Sequence, residues 1–122
     1  MHKGRIGSFK YAFEGIAVAL KDEPNFLIQI IIGIVGFLLG VFFHITSGEW
    51  LLGVIVWGIV TSLELANTAI EEVIDSFVVS SHPGAKKAKD VSAASVMIMF
   101  FVEVAVGIVI FLPLFSKFFQ GT

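Results

Sequence analysis

Cysteine is absent from this chain of 122 residues, and charged residues make up only 15% of it. Without cysteine, the protein has no disulfide framework and no thiolate chemistry. A soluble domain usually carries about 25% charged residues, so the low charge indicates a membrane protein instead. The formal net charge of -2 argues against nucleic acid as a partner, because nucleic-acid-binding domains are basic.

Hydrophobic residues are abundant where charged residues are few. They make up 57% of the chain, and the mean hydropathy is +0.95. Domains usually have about 100 to 200 residues, so we expect residues 1–122 to form a single domain. The basic residues at the start of the chain are not followed directly by an apolar run, so we expect no cleavable signal peptide. These properties predict an all-α integral membrane protein.

Residues 8–22 have the spacing of an amphipathic helix. Phe9, Phe13, Ile16 and Leu20 recur every three or four positions and share one face. A short basic helix with an aromatic stripe is typical of helices that lie in the membrane interface. Packing against the protein's own surface is the alternative, and the two are compatible because the next segment enters the membrane.

Three further segments are apolar enough to span a bilayer, and they comprise residues 26–43, 50–79 and 91–115. A helical span needs about 20 residues. The second segment is about 45 Å long at 1.5 Å per residue, so one end must project beyond a hydrocarbon layer about 30 Å thick. Pro24 is favoured at the start of the first span. Pro113 predicts the end of the third span.

Most basic residues lie on one side of this three-span arrangement. Seven of the eight Lys and Arg residues either precede the first span or separate the second from the third. Basic residues are enriched on the cytoplasmic side of membrane proteins, so we expect that side to be the cytoplasm. The seven residues are Lys3, Arg5, Lys10, Lys21, Lys86, Lys87 and Lys89.

The second span carries a face of polar side chains. At 100° per residue, Glu64, Asn67, Glu71 and Asp75 fall within an arc of roughly 80°. Each ionisable residue in a membrane helix costs a few kcal/mol, so we expect Glu64 and Glu71 to have a function. Asn67 by itself more often indicates an interhelical hydrogen bond. Counted from Trp50, Glu64 lies about 21 Å along the helix, at the far edge of the apolar layer.

A polar segment with three lysines follows, and we expect residues 80–89 to form a loop because HPG is a helix breaker. Carboxylates near lysines suit a divalent cation with a phosphate ligand, because Mg²⁺ is held by one or two carboxylates plus substrate phosphates. No Walker-type or protein-kinase motif is present, so a nucleotide site here would be unconventional. A lysine run alone is also typical of a lipid-headgroup anchor.

Together, the two motifs resemble a known family. ELANTAIEEVID, which begins at Glu64, and HPGAKKAKDVSAASV, which begins at His82, are similar to the prokaryotic diacylglycerol kinases. These are small integral-membrane lipid kinases, and they include the undecaprenol kinases. The match extends from about residue 9 to residue 96, with a third span beyond it. Its specific part is the spacing of the three carboxylates and the amide, followed by the histidine and the Lys-Asp pair.

The resemblance implies a lipid kinase that depends on ATP and Mg²⁺. Its acceptor would be diacylglycerol or undecaprenol, with undecaprenol slightly favoured. Glu64 would be the catalytic base, and Asn67 would help to position the lipid hydroxyl. Glu23 and Glu71 would bind magnesium. The nucleotide would contact Tyr11, Asp75, His82, Lys89 and Asp90.

The resemblance also implies how the protein is assembled and placed. Members of the family look like homotrimers whose composite active sites are shared between neighbouring subunits. Each subunit contributes three spans and one interfacial helix. For this chain, we therefore expect a multi-pass protein of the bacterial plasma membrane, with its active site on the cytoplasmic face.

Four positions depart from the family pattern. Leu27 and Gln29 stand where many relatives carry Arg and His, and Ser80 stands where some carry a carboxylate. Glu103, in the third span, has no counterpart in the family. We expect Glu103 to be protonated or to be paired at a subunit interface.

Two other functions use the same residues. A small proton-coupled multidrug-type transporter would need a membrane glutamate, but export requires neither a glutamate at the membrane edge nor a lysine-rich segment. A non-enzymatic membrane adaptor would use the carboxylates only to bind a cation. Transfer of phosphate from ATP to a lipid hydroxyl separates the kinase from both alternatives.

Overall fold

The computed structural model describes residues 4–121, which form four helices and no strand. The helices are α1 (Gly4–Asp22), α2 (Pro24–Phe43), α3 (Ser47–Phe77) and α4 (Pro83–Phe119). Of these, α2, α3 and α4 are long and apolar enough to cross a membrane. The all-α membrane fold predicted from the sequence is therefore confirmed. Lys3, one of the seven basic residues that predict the orientation in the membrane, lies outside the described residues.

Cap residues define the turn between α2 and α3. His44 ends α2 in the left-handed conformation, with a φ of 55°. Thr46 and Glu49 then form a capping box, in which Thr46 Oγ1 accepts from the Glu49 N–H at 3.2 Å and Glu49 Oε1 accepts from the Thr46 N–H at 2.9 Å. The box satisfies two backbone donors, and α3 consequently begins at Ser47, before the predicted residue 50.

The lysine-rich segment is largely helical, so the predicted loop over residues 80–89 is wrong from Pro83 onwards. His82 is the N-cap of α4, and its Nδ1 accepts the backbone N–H of Gly84 at 2.9 Å. Pro83 occupies the first helical position, where its missing N–H costs nothing. The HPG sequence therefore starts a helix here, and the lysines that follow it lie on the first turns of α4.

α4 also continues beyond Pro113, where the sequence predicted its end. Proline removes one backbone donor, but helices in membranes tolerate this loss where neighbouring helices pack against them. The last turns of α4 pack on the end of α2. The Phe115 ring lies 5.0 Å from that of Phe43, and the Phe118 ring lies 5.8 Å from that of Phe42. These aromatic contacts hold the final turns in place.

The helices pack around α3, which contacts all three of the others. A small row of apolar residues is buried between them, consisting of Ala19, Phe26, Val56, Val60, Val96 and Ile110. Most large apolar side chains face outward, such as Phe37 at 58% exposure and Val109 at 71%. This is the surface expected of a small bundle in hydrocarbon, where apolar side chains need no burial. α3 has 31 residues, about 46 Å, so it extends beyond a single bilayer core.

A candidate active site at the membrane edge

Two glutamates of α3 and one at the N-cap of α2 lie within electrostatic range of one another near one end of the α3 span. Glu64 on α3 is only 7% exposed. The charges of Glu23, the N-cap of α2, and of Glu71, about two turns further along α3, both act on its carboxyl group. Within residues 4–121, no hydrogen bond forms to the Glu64 carboxylate, so its oxygens remain available as proton acceptors. The predicted base thus lies within electrostatic range of the two predicted metal ligands.

Asn67 connects this acidic face to α4. Its Nδ2 donates to Glu71 Oε1 at 2.6 Å, and its Oδ1 accepts from Ser92 Oγ at 2.7 Å. The amide therefore bonds directly to a predicted magnesium ligand, one turn away from the predicted base. Ser92 was not among the residues predicted for the site. Ser92 was missed because its partner lies on another helix. Its position three residues after Lys89, close to the predicted nucleotide contacts, was the signal in the sequence that could have identified it.

A pocket of about 330 Å³ lies between the end of α3 and the start of α4. Lys89 Nζ reaches across it to Asp75 Oδ1 at 2.8 Å. Tyr11, which is 57% exposed on α1, is not part of the pocket wall. The other four residues predicted to contact the nucleotide all line the pocket, namely Asp75, His82, Lys89 and Asp90.

Lys89 supplies a fixed cation at this pocket. Its hydrogen bond to Asp75, together with the attraction of that carboxylate, raises the pKa of the Lys89 ammonium group. Lys89 precedes the apolar part of α4, and Asp75 follows the apolar part of α3. The Lys89 side chain is 38% exposed, and the Asp75 side chain is 60% exposed. An exposed ion pair adds little stability. The pair instead holds the positive charge of Lys89 in one position, and such a charge is suited to binding a phosphate group.

The carboxylates of the site fit a hard divalent cation. Among residues 4–121, no three acidic, His or Cys side chains form a self-sufficient metal site. Mg²⁺ does not need one, because it typically takes one or two carboxylates and completes its shell with substrate phosphates and water. Glu23 and Glu71 supply that number. Asn67 occupies only Oε1 of Glu71, which leaves the second oxygen free of hydrogen bonds within the described chain.

The chain is similar to several known kinases. The chain is 34% identical to the undecaprenol kinase of Bacillus subtilis, over 87% of this chain and 86% of that protein. It is also 34% identical to two diacylglycerol kinases. The match to that of Synechocystis sp. covers 87% of this chain and 61% of the relative, and the match to that of Haemophilus influenzae covers 76% and 79%.

The family model described as prokaryotic diacylglycerol kinase matches residues 10–111. The matched region includes the whole acidic face of α3, the pocket between α3 and α4, and most of each span. The chain therefore belongs to the prokaryotic diacylglycerol kinase family, which makes it a multi-pass membrane lipid kinase.

Proposed function

We propose that this protein transfers the γ-phosphate of ATP to the hydroxyl group of a membrane lipid, with Mg²⁺ as its metal cofactor. One observation carries the proposal. The nearly buried carboxylate of Glu64 has no hydrogen bond within residues 4–121, and the charges of Glu23 and Glu71 reach it. A free proton acceptor and two metal-type carboxylates are the groups that phosphoryl transfer to an alcohol requires.

In this proposal, Glu64 accepts the proton of the lipid hydroxyl while the hydroxyl oxygen attacks the γ-phosphorus. The bond from that phosphorus to the β-phosphate oxygen breaks, and ADP leaves. Glu23 and Glu71 would hold Mg²⁺, which when bound neutralises charge on the phosphates. Asn67 holds Glu71 in place, lies one turn from Glu64 and would help to position the lipid hydroxyl.

The nucleotide would occupy the pocket between α3 and α4. Lys89 offers a positive charge to the phosphates, and its ion pair with Asp75 fixes the position of that charge. His82 and Asp90 line the same pocket and would contact the rest of the nucleotide. Tyr11 would contact it from α1, outside the pocket wall.

Undecaprenol is the acceptor that we propose, with diacylglycerol as the alternative. The relative named undecaprenol kinase is matched over 86% of its length, whereas the two relatives named diacylglycerol kinase are matched over 61% and 79%. Long apolar tails are poorly distinguished by apolar surfaces, because each methylene contributes only a small binding energy. A direct competition between the two lipids is therefore the appropriate measurement.

We place the protein in the bacterial plasma membrane with its site on the cytoplasmic side. The distribution of lysine and arginine supports this orientation, since within residues 4–121 Lys117 is the one basic residue at the opposite end of the bundle. The exposure of Phe9 and Phe13 on α1, 67% and 68%, supports a position for that helix in the membrane interface.

A homotrimer with sites shared between neighbouring subunits is the assembly that we propose. Gly53 on α3 and Gly107 on α4 border an apolar groove of about 470 Å³. A Cβ atom at either glycine would meet nothing within 4 Å. Small residues beside open space allow helices of another subunit to approach closely. Native mass spectrometry from micelles tests the subunit number.

The test of the reaction uses purified full-length protein in micelles with Mg²⁺, γ-labelled ATP and either undecaprenol or diacylglycerol. Label should enter undecaprenol faster than diacylglycerol. Glu64→Gln should lower the rate at least about 100-fold, the usual contribution of a general base. Glu72→Gln is the matched control, because Glu72 is exposed and bonds only to Ser76 at 3.2 Å, so its rate should stay within two-fold of wild type.

Two results would contradict the proposal. The first is the absence of label in either lipid with wild-type protein. The second is a Glu64→Gln variant that transfers phosphate at the wild-type rate.

A further inference from the structure

Among residues 4–121, Ser92 is the residue whose hydroxyl group donates a hydrogen bond to a different helix. Ser8, Thr61 and Thr68 each donate to the backbone oxygen four residues earlier on their own helix. This bond is the usual one for a helical hydroxyl. The hydroxyl of Ser92 instead crosses from α4 to α3 and donates to the side chain of Asn67 at 2.7 Å. The bond therefore connects two helices at the candidate site.

The direction of the bond follows from the chemistry of Glu71. An ionised carboxylate only accepts hydrogen bonds, so the amide must turn its NH₂ group toward Glu71, and this bond is 2.6 Å long. The amide oxygen of Asn67 then faces α4 and requires a donor. Ser92 provides it, so the two bonds run in one direction, from Ser92 through Asn67 to Glu71.

This arrangement restricts Glu71. With its amide held at both ends, Asn67 cannot rotate away, and its NH₂ group keeps one oxygen of Glu71 in a fixed place. Partners that hold a metal-binding side chain in this way commonly determine metal affinity, because the ligand need not be ordered when the metal binds. Without Ser92, the half-buried amide oxygen of Asn67 would lose its donor.

We propose that Ser92 is a positioning residue for the metal-binding carboxylate Glu71, and that it acts through the amide of Asn67. The proposal rests on the proposed function, in which Glu71 binds Mg²⁺. It assigns to Ser92 no contact with the nucleotide or the lipid. Ser92 therefore affects the affinity for the metal, while the rate at saturating metal stays unchanged.

The experiment compares three variants of the full-length protein in micelles. Ser92→Ala removes the donor, and Ser92→Thr keeps it. Ser95→Ala is the matched control, because Ser95 lies on the same helix and donates only to the backbone oxygen of Ser92, at 2.7 Å. Binding of Mn²⁺ in the presence of ADP is measured by electron paramagnetic resonance, and the Mg²⁺ concentration that gives half-maximal phosphate transfer is measured separately.

Ser92→Ala should weaken Mn²⁺ binding roughly five-fold, which is one hydrogen bond of about 1 kcal/mol expressed as a ratio of dissociation constants. The half-maximal Mg²⁺ concentration should rise by the same factor, with no change in the rate at saturating Mg²⁺. Ser92→Thr and Ser95→Ala should both remain within two-fold of wild type.

The proposal for Ser92 is overturned if Ser92→Ala binds Mn²⁺ as wild type does, or if Ser95→Ala loses as much affinity. It is also overturned if the loss appears only in the rate at saturating Mg²⁺. In each of these cases an active wild-type enzyme leaves the proposed function intact. A wild-type protein that neither binds Mn²⁺ nor transfers phosphate would overturn both.

Discussion

Gln29 on α2 and Glu103 on α4 are joined by a hydrogen bond, in which the amide Nε2 donates to the carboxyl Oε1 at 3.0 Å. Gln29 is 3% exposed, and its backbone oxygen accepts the indole N–H of Trp57 at 2.7 Å. Gln29 and Glu103 are two of the four positions at which we expect this chain to depart from the family pattern. We expected Glu103 to be protonated or to be paired at a subunit interface, whereas one of its oxygens is paired with Gln29 of the same chain.

Glu103→Leu should destabilise the protein by about 1 to 3 kcal/mol, because it leaves the amide of Gln29 buried without an acceptor. Gln29→Leu combined with Glu103→Leu should recover much of that loss, since a pair of apolar side chains needs no hydrogen bond. Reversible unfolding in mixed micelles measures the free energies of unfolding of Glu103→Leu, of Gln29→Leu and of the double variant. If the double variant loses the sum of the two single losses, the two residues do not interact.

Glu23→Gln and Glu71→Gln should each raise the Mg²⁺ concentration required for half-maximal transfer at least ten-fold, because each removes one of two proposed ligands. Titration of Mn²⁺ by electron paramagnetic resonance provides a measurement independent of activity. Glu72→Gln again serves as the control, since it removes a carboxylate from the neighbouring position. Equal metal affinity in all three variants would reject Glu23 and Glu71 as ligands.

Asp75→Asn should lower the pKa of Lys89, because Asp75 supplies both the hydrogen bond and the main attraction that raise it. Nuclear magnetic resonance of ¹³C-labelled lysine follows this titration directly. Asp90→Asn should have a smaller effect, since the Asp90 charge acts on Lys89 without a hydrogen bond. A larger shift in Asp90→Asn than in Asp75→Asn would contradict the observed pairing.

The same exposed pair gives the free energy of unfolding a small dependence on alkaline pH. Folding raises the pKa of Lys89, so the pair's contribution to stability is complete below the pKa of unfolded lysine, about 10.4. It is lost as the pH rises through the higher value of the folded state. Unfolding measured at pH values above about 10.4 should therefore show a steeper decline for wild type than for Asp75→Asn.

Gly33→Ala should destabilise the bundle by about 1 to 3 kcal/mol through overpacking. A Cβ atom at this position would lie 2.6 Å from Nε1 and Cε2 of Trp57, and the indole cannot move freely because it donates to Gln29. Gly58→Ala is the control, because no atom lies within 4 Å of its Cβ position. Thermal unfolding in micelles should show a lower midpoint temperature for Gly33→Ala and an unchanged one for Gly58→Ala. Equal midpoint temperatures for the two variants would show that the Trp57 ring moves aside without cost.

The spans and the acidic face could be predicted because both depend on local information. The length of an apolar run identifies a span, and helical periodicity places Glu64 and Asp75 on one face. The start of α4 could not be predicted in the same way. A proline breaks a helix in its interior but favours the first position, and the difference here lies in the His82 side chain, which caps the N–H of Gly84.

The contacts between helices also could not be predicted from the sequence. The Ser92 to Asn67 bond depends on how α4 is aligned along α3, and residues 25 positions apart have no local pattern that reports this alignment. The bond between Gln29 and Glu103 joins residues 74 positions apart. In both cases the sequence shows a polar side chain in an apolar segment and nothing about its partner.

The unbroken course of α4 has a mechanical consequence. Lys89 and Ser92 occupy the same helix as the lipid-facing residues that follow them, with no flexible loop between. If α4 tilts relative to α3 to match the thickness of its bilayer, Lys89 moves with it and its distance from Asp75 changes. Bilayer thickness would in that case alter the geometry of the proposed phosphate-binding end of the molecule.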